Sequence, residues 1–108
     1  MTLAWIFLFV AGLLEIVWAY FMKESQGFSR LWPSLFTLAA MVASFGLLSL
    51  AMRTLPLGTA YTIWTGIGAV GAFIVGIVVL GEHISASRVA AAVLIVSGLV
   101  MMKLTTTE

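Results

Sequence analysis

One carboxylate stands where carboxylates are costly. Glu15 sits in an otherwise uncharged run of 20 residues, Leu3 to Met22. As a helix, that run is about 30 Å long, the thickness of a bilayer's hydrocarbon core. A charge at that depth costs on the order of 3 kcal/mol or more unless it is protonated, paired or wetted. The acid is therefore the working group, and the rest of the chain exists to house it. Residues three, four and seven positions away share its helical face. That face carries Leu8, Ala11, Gly12, Trp18, Ala19 and Met22. Small side chains precede the acid and leave room for a neighbouring helix or a ligand. Trp18 follows it. Two readings stand for this indole: a ring that covers the carboxylate and offers a face to a cation, or an aromatic of the interfacial belt.

A second stripe runs through Tyr61, Trp64, Thr65, Gly68 and Ala72. Tyr61 and Trp64 each carry a hydrogen-bonding handle that is costly to bury in lipid without a partner. Both are read as cavity-facing, with the aromatic belt as the alternative. Ser44 falls within another apolar stretch. Its hydroxyl either faces the same cavity or bonds the carbonyl one turn back on its own helix. Gly66, Gly68 and Gly71 spell G-x-G-x-x-G. No strand-turn-helix unit surrounds them, so they do not bind a dinucleotide. Within an apolar helix they mark tight packing or a point of bending. Gly98, with Ala90, Ala91 and Ser97, offers a small surface for helix pairing.

The elements that position these groups follow from composition. Of the 108 residues, 63% are hydrophobic and 8% charged. A soluble domain carries about a quarter charged residues. The chain is an all-α integral membrane protein and a single domain. Its net charge of +1 gives no sign of nucleic acid, and with no cysteine there is no thiol chemistry. One His and four acids make a metal cage unattractive. No cofactor motif stands in a workable context, and no nucleophile is paired with a base, so an enzyme is not expected. No Lys or Arg precedes the first apolar run and no small-residue cleavage site follows it, so the run is a retained span, not a signal peptide.

Four spans are predicted, at about 3–22, 34–52, 59–80 and 86–104. Between the first two lies a polar loop from Lys23 to Trp32, with Gly27 as its turn residue and Pro33 at the start of the next helix. Pro56 breaks the chain before the third span. Gly81 to Ser85 form a polar turn, in which His83 beside Glu82 is a solvated loop residue. Arg88 and Lys103 snorkel at the ends of the fourth span. Thr105 to Glu108 form a polar tail. Lys and Arg divide two (Arg53, Lys103) against three (Lys23, Arg30, Arg88) between the two membrane faces. That is too even to orient the chain. Either the signal is weak in a short protein, or copies insert both ways and pair antiparallel. Such a pair would build from two chains the inverted symmetry that larger transporters build from repeats. Two chains also bring eight helices and two carboxylates to one cavity.

A buried acid lined by aromatics suits a cation. Protons and the cation then compete for one group, which is the minimal chemistry of a cation/proton antiporter. The same fold without a titrating group would serve as a small pore, and an inert subunit of a larger complex is a further alternative.

Glu15-Ile16-Val17-Trp18, Gly27 to Ser34, Ser44-Phe45 and Leu55 to Gly68 resemble the small multidrug resistance family over nearly the whole chain. The resemblance implies a four-helix protomer, an antiparallel dual-topology homodimer and proton-coupled export of cations across the bacterial inner membrane. It implies that Glu15 is the essential first-helix acid. Glu15-x-x-Trp18 and Trp64-Thr65-Gly66-Ile67-Gly68 resemble the guanidinium exporter subtype. Polyaromatic-cation exporters instead carry Gly at the place of Trp18 and Ser at that of Thr65. By that resemblance Trp18, Ser44, Tyr61 and Trp64 organise the central acids, with Ser44 and Trp64 in reach of the carboxylate. Ala91 departs from the glycine common in the family's fourth-helix pairing motif. Guanidinium and singly substituted guanidines are the expected substrates, with quaternary ammonium export as the alternative. Guanidinium is planar and ringed with donors, so it can fork onto a carboxylate while its faces stack on indole.

Overall fold

The computed structural model describes residues 2–105. Four helices follow one another: α1 (Thr2–Glu24), α2 (Leu31–Ala51), α3 (Leu57–Val78) and α4 (Ala86–Thr105). Each is long and apolar enough to cross a membrane. The last three residues of the expected polar tail, 106–108, lie outside the described residues.

The helix ends differ from the sequence expectation for local reasons. α1 runs two residues past Met22, and Ser25 then closes it. The Ser25 hydroxyl donates to the Met22 carbonyl at 2.6 Å and accepts from the Phe28 N–H at 3.0 Å. The Ser25 carbonyl accepts from the Ser29 N–H at 2.9 Å and the Arg30 N–H at 3.1 Å. These bonds hold a left-handed turn at Gln26 (φ 50), Gly27 (φ 74) and Phe28 (φ 66). Only the glycine adopts that region freely. α2 begins at Leu31, not Ser34, so Pro33 occupies its third position. That is still within the first turn, where a missing N–H breaks no helical bond. Pro56 is the N-cap of α3, with φ −60 and ψ 148. α3 ends at Val78, ahead of the predicted limit. Gly81 turns the chain at φ 69, and the Glu82 N–H closes back on the Gly76 carbonyl at 2.9 Å.

α1 is the hub. It packs against both α2 and α3, whereas α2 and α3 barely meet and α4 lies mainly against α3, with Lys103 reaching Trp5 of α1. The core is small: Ala4, Leu8 and Ala11 of α1, Leu48 and Ala51 of α2, Leu55 before α3, and Ala60, Ile63 and Trp64 within it. α4 contributes no buried residue. Its ends are held by cations over rings: Lys103 Nζ lies 4.7 Å from the Trp5 ring centre and Arg88 Cζ lies 5.5 Å from that of Phe73. The Cα trace measures 42 × 34 × 17 Å. Helices pack about 8–10 Å apart, so this slab is too thin to enclose a cavity.

Candidate cation and proton site

Glu15 and Trp18 lie one turn apart on α1 and both are half-buried. Glu15 Oε1 and Trp18 Nε1 are buried atoms with no hydrogen-bond partner among the described residues. Buried polar groups are normally paired. An acceptor and a donor left open on one helical face mark a place where a ligand or a rearrangement completes the bonding.

α3 receives the acid at Gly68. A Cβ there would overlap Glu15 Oε1 and Cδ, so the carboxyl end rests on the α3 backbone. Neighbouring glycines perform the same service for other side chains: Gly66 admits Leu99 of α4, and Gly71 admits Ile16 of α1. On α1, a Cβ at Gly12 would lie 2.7 Å from Ile67 Cγ2. α3 continues as one unbroken helix through all five of its glycines. Gly98 differs, since nothing lies within 4 Å of where its Cβ would stand.

Ser44 and Trp64 form a second group. The Ser44 hydroxyl donates to the Ala11 carbonyl at 2.7 Å, and the Trp64 indole donates to Ser44 Oγ at 2.9 Å. Both bonds are buried and together join α1, α2 and α3. Ala11 O is also the acceptor that α-helical pairing assigns to the Glu15 N–H. In this conformation the Ser44 hydroxyl therefore bonds neither its own helix nor the carboxylate, and the Trp64 N–H is directed at Ser44. Tyr61 lies on the first turns of α3, 53% exposed, with its ring centre 5.6 Å from that of Trp64.

One participant escaped the sequence reading. Phe45 stands between the two indoles, 6.3 Å from Trp18 at 73° and 5.7 Å from Trp64 at 59°. Trp18, Phe45, Trp64 and Tyr61 thus form a continuous run of rings beside Glu15. A lone Phe in an apolar span faces lipid by default, so periodicity gave no reason to select it. Its position next to Ser44 was the available signal.

Four helices long and apolar enough to span a membrane thus hold a half-buried acid against a glycine of the neighbouring helix. The family model for the Small Multidrug Resistance protein matches residues 3–96. The chain belongs to the Small Multidrug Resistance family. It is 59% identical over 102 residues to a protein named guanidinium exporter from Salmonella typhimurium, covering 94% of this chain and 97% of that one. It is 57% identical over 104 residues to a guanidinium exporter from Citrobacter freundii, covering 96% and 99%. A guanidinium exporter from Escherichia coli is 56% identical over 104 residues, with the same coverage.

Proposed function

We propose that this protein exports guanidinium and singly substituted guanidines across the bacterial inner membrane in exchange for protons, with both competing for Glu15. The observation that carries this is the unpartnered Glu15 carboxyl beside a run of aromatic rings. Guanidinium offers two parallel donors to a carboxylate and a flat face to an indole. The chain's own Arg88 shows the same chemistry on a small scale. Its guanidinium lies over the Phe73 ring while Nη1 donates to the His83 carbonyl at 3.1 Å. The full-length match to three proteins named guanidinium exporter supports the choice of substrate.

In the exchange, the carboxyl releases its proton to water on the open face and takes guanidinium. On the opposite face it releases guanidinium and takes a proton. An empty, ionised acid does not cross a dry intermediate, because the uncompensated charge is too costly there. That rule is what couples the two fluxes. Each entering proton supplies about 1.4 kcal/mol per pH unit, and the potential adds about 2.3 kcal/mol per 100 mV for each net charge moved, which requires two protons, one on each carboxyl of the pair, per guanidinium.

The exchanging unit is an antiparallel homodimer. A slab 17 Å thick needs a second copy to close a cavity. α3 and α4 leave an open groove of about 480 Å³ lined by Tyr61, Thr65, Gly66, Leu94, Gly98 and Leu99. Its small residues admit another helix closely. A reporter fused to the C-terminus should appear on both membrane faces in comparable amounts, and its confinement to one face would exclude dual topology.

Selectivity follows from the donors and acceptors at the site. A polyaromatic cation without N–H groups leaves them unpaired, which a hydrogen-bonded site rejects strongly. Purified protein in liposomes should therefore give a saturable proton-coupled current with guanidinium and a much smaller one with a tetraalkylammonium ion. The reverse order would assign the protein to quaternary ammonium export.

A further inference from the structure

The seat of Glu15 on Gly68 distinguishes the two oxygens of the carboxyl. Oε1 is the atom that a Gly68 Cβ would overlap, and it is also the oxygen that is buried without a partner. The seat offers it only helical backbone, whose interior N–H groups already bond within α3. An ionised oxygen in such a place lacks the donors it needs, whereas the carbonyl oxygen of a neutral acid tolerates it far better. Tyr20, Lys23, Glu82 and Arg88 line an open cleft with Ile16 and Ala19 beside the Glu15 turn, and none of them bonds Oε1. α2 carries no ionisable side chain, and α3 carries only Tyr61, which packs on Trp64. On α1, Lys23 and Glu24 lie at its far end, more than two turns from Glu15. The cations of α4 lie at its ends, over Phe73 and Trp5. One open donor lies on the same helix. The Trp18 indole N–H is open, and it shares the helical face of Glu15.

We propose that Gly68 is a positioning residue whose bare backbone holds the protonated form of Glu15, and that the ionised carboxylate leaves this seat to take guanidinium. This rests on the proposed competition at Glu15 and deepens it. The two loaded states then differ in where the carboxyl sits, not only in what it binds. Proton loading withdraws the acid against α3, and deprotonation turns it toward the Trp18 donor and the ring-lined side. Guanidinium therefore meets a carboxylate that is free of its seat, and a proton returns it there. The glycine is selected neither for a bend nor for helix contact as such, but because any side chain would fill the space that the neutral acid requires.

The test is guanidinium affinity of purified protein at alkaline and at acid pH, followed by tryptophan fluorescence. In the wild type, acidification weakens binding. In Gly68→Ala the neutral acid loses its seat, so the ratio of acid to alkaline dissociation constants should shrink by about five-fold or more, with alkaline affinity changed far less. Equal weakening at both pH values would reduce Gly68 to packing and overturn the proposal. In a Glu15→Asp background the acid is one methylene shorter and clears the added methyl. There Gly68→Ala should leave the ratio unchanged, and an undiminished effect would also overturn it. Infrared difference spectra need no glycine variant. On acidification, the carboxyl band that Glu15→Gln removes should appear at the non-hydrogen-bonded, high-frequency end of its range. A hydrogen-bonded band there would refute the seat even if Gly68→Ala failed to fold. Should wild-type binding show no dependence on pH, the competition at Glu15 itself fails. A normal wild-type profile with an unaltered Gly68→Ala profile removes the seat alone.

Discussion

Glu15→Gln abolishes guanidinium-driven proton current in liposomes while leaving the protein folded. The amide has the size of the acid, so it fits the Gly68 seat and disturbs little of the α1–α3 contact. What it lacks is charge and a titratable proton. Removing one partner of a desolvated ion pair costs about 3–5 kcal/mol, equivalent to about 10²- to 10⁴-fold in guanidinium affinity. Coupling should vanish altogether, because the substitution removes the titrating carboxyl from both copies of the proposed pair. Unchanged helicity and elution volume would show that the loss is chemical. Equal currents from both proteins would remove Glu15 from the mechanism and leave a pore as the better reading.

The second large effect is expected at Ser44. Its hydroxyl is wholly buried and holds two bonds, to Ala11 O and from Trp64 Nε1. Ser44→Ala strands the indole N–H in an apolar interior and frees a carbonyl one turn from Glu15. Stranding a buried donor costs about 1–3 kcal/mol. Thermal unfolding in detergent should show that loss, and the KM for guanidinium should rise with it. Trp64→Phe removes the donor and leaves Ser44 still bonded to Ala11. Combining the two should cost less than the sum of the single changes by about 1 kcal/mol, as expected for groups acting as a unit. Strict additivity would show that the three-helix link carries no energy of its own.

Much of this was legible in the sequence, and the limits have physical causes. Four apolar runs separated by Gly27, Pro56 and Gly81 announce four spans, and the structure has four such helices. Glu15 stands out because one charge in an apolar run departs from everything around it. Its seat does not stand out. Periodicity gives the face of α1 that carries Glu15 and the face of α3 that carries Gly68, but not the crossing that brings them together. The same holds for Ser44, whose partners lie 33 and 20 positions away on other helices. The start of α2 is hard to place from sequence because proline is tolerated anywhere in the first turn, and Pro33 takes its third position. Only the structure separates the members of the glycine run by guest: Leu99 at Gly66, Glu15 at Gly68, Ile16 at Gly71.

The bareness of α4 has a consequence for how the protein must be handled. A span with no fully buried residue, whose Leu99 and Met102 are only partly covered by its own chain, gains most of its burial, on the proposed pairing, from a second copy. Association and folding then draw on the same surface, and mass action governs both. Stability becomes a property of the mole fraction of protein in the bilayer, not of the polypeptide alone. Diluting the protein with lipid or detergent acts as a denaturant without any change of temperature or solvent. Melting temperatures taken at different protein-to-lipid ratios should form a rising series, and variants can be compared only at one ratio.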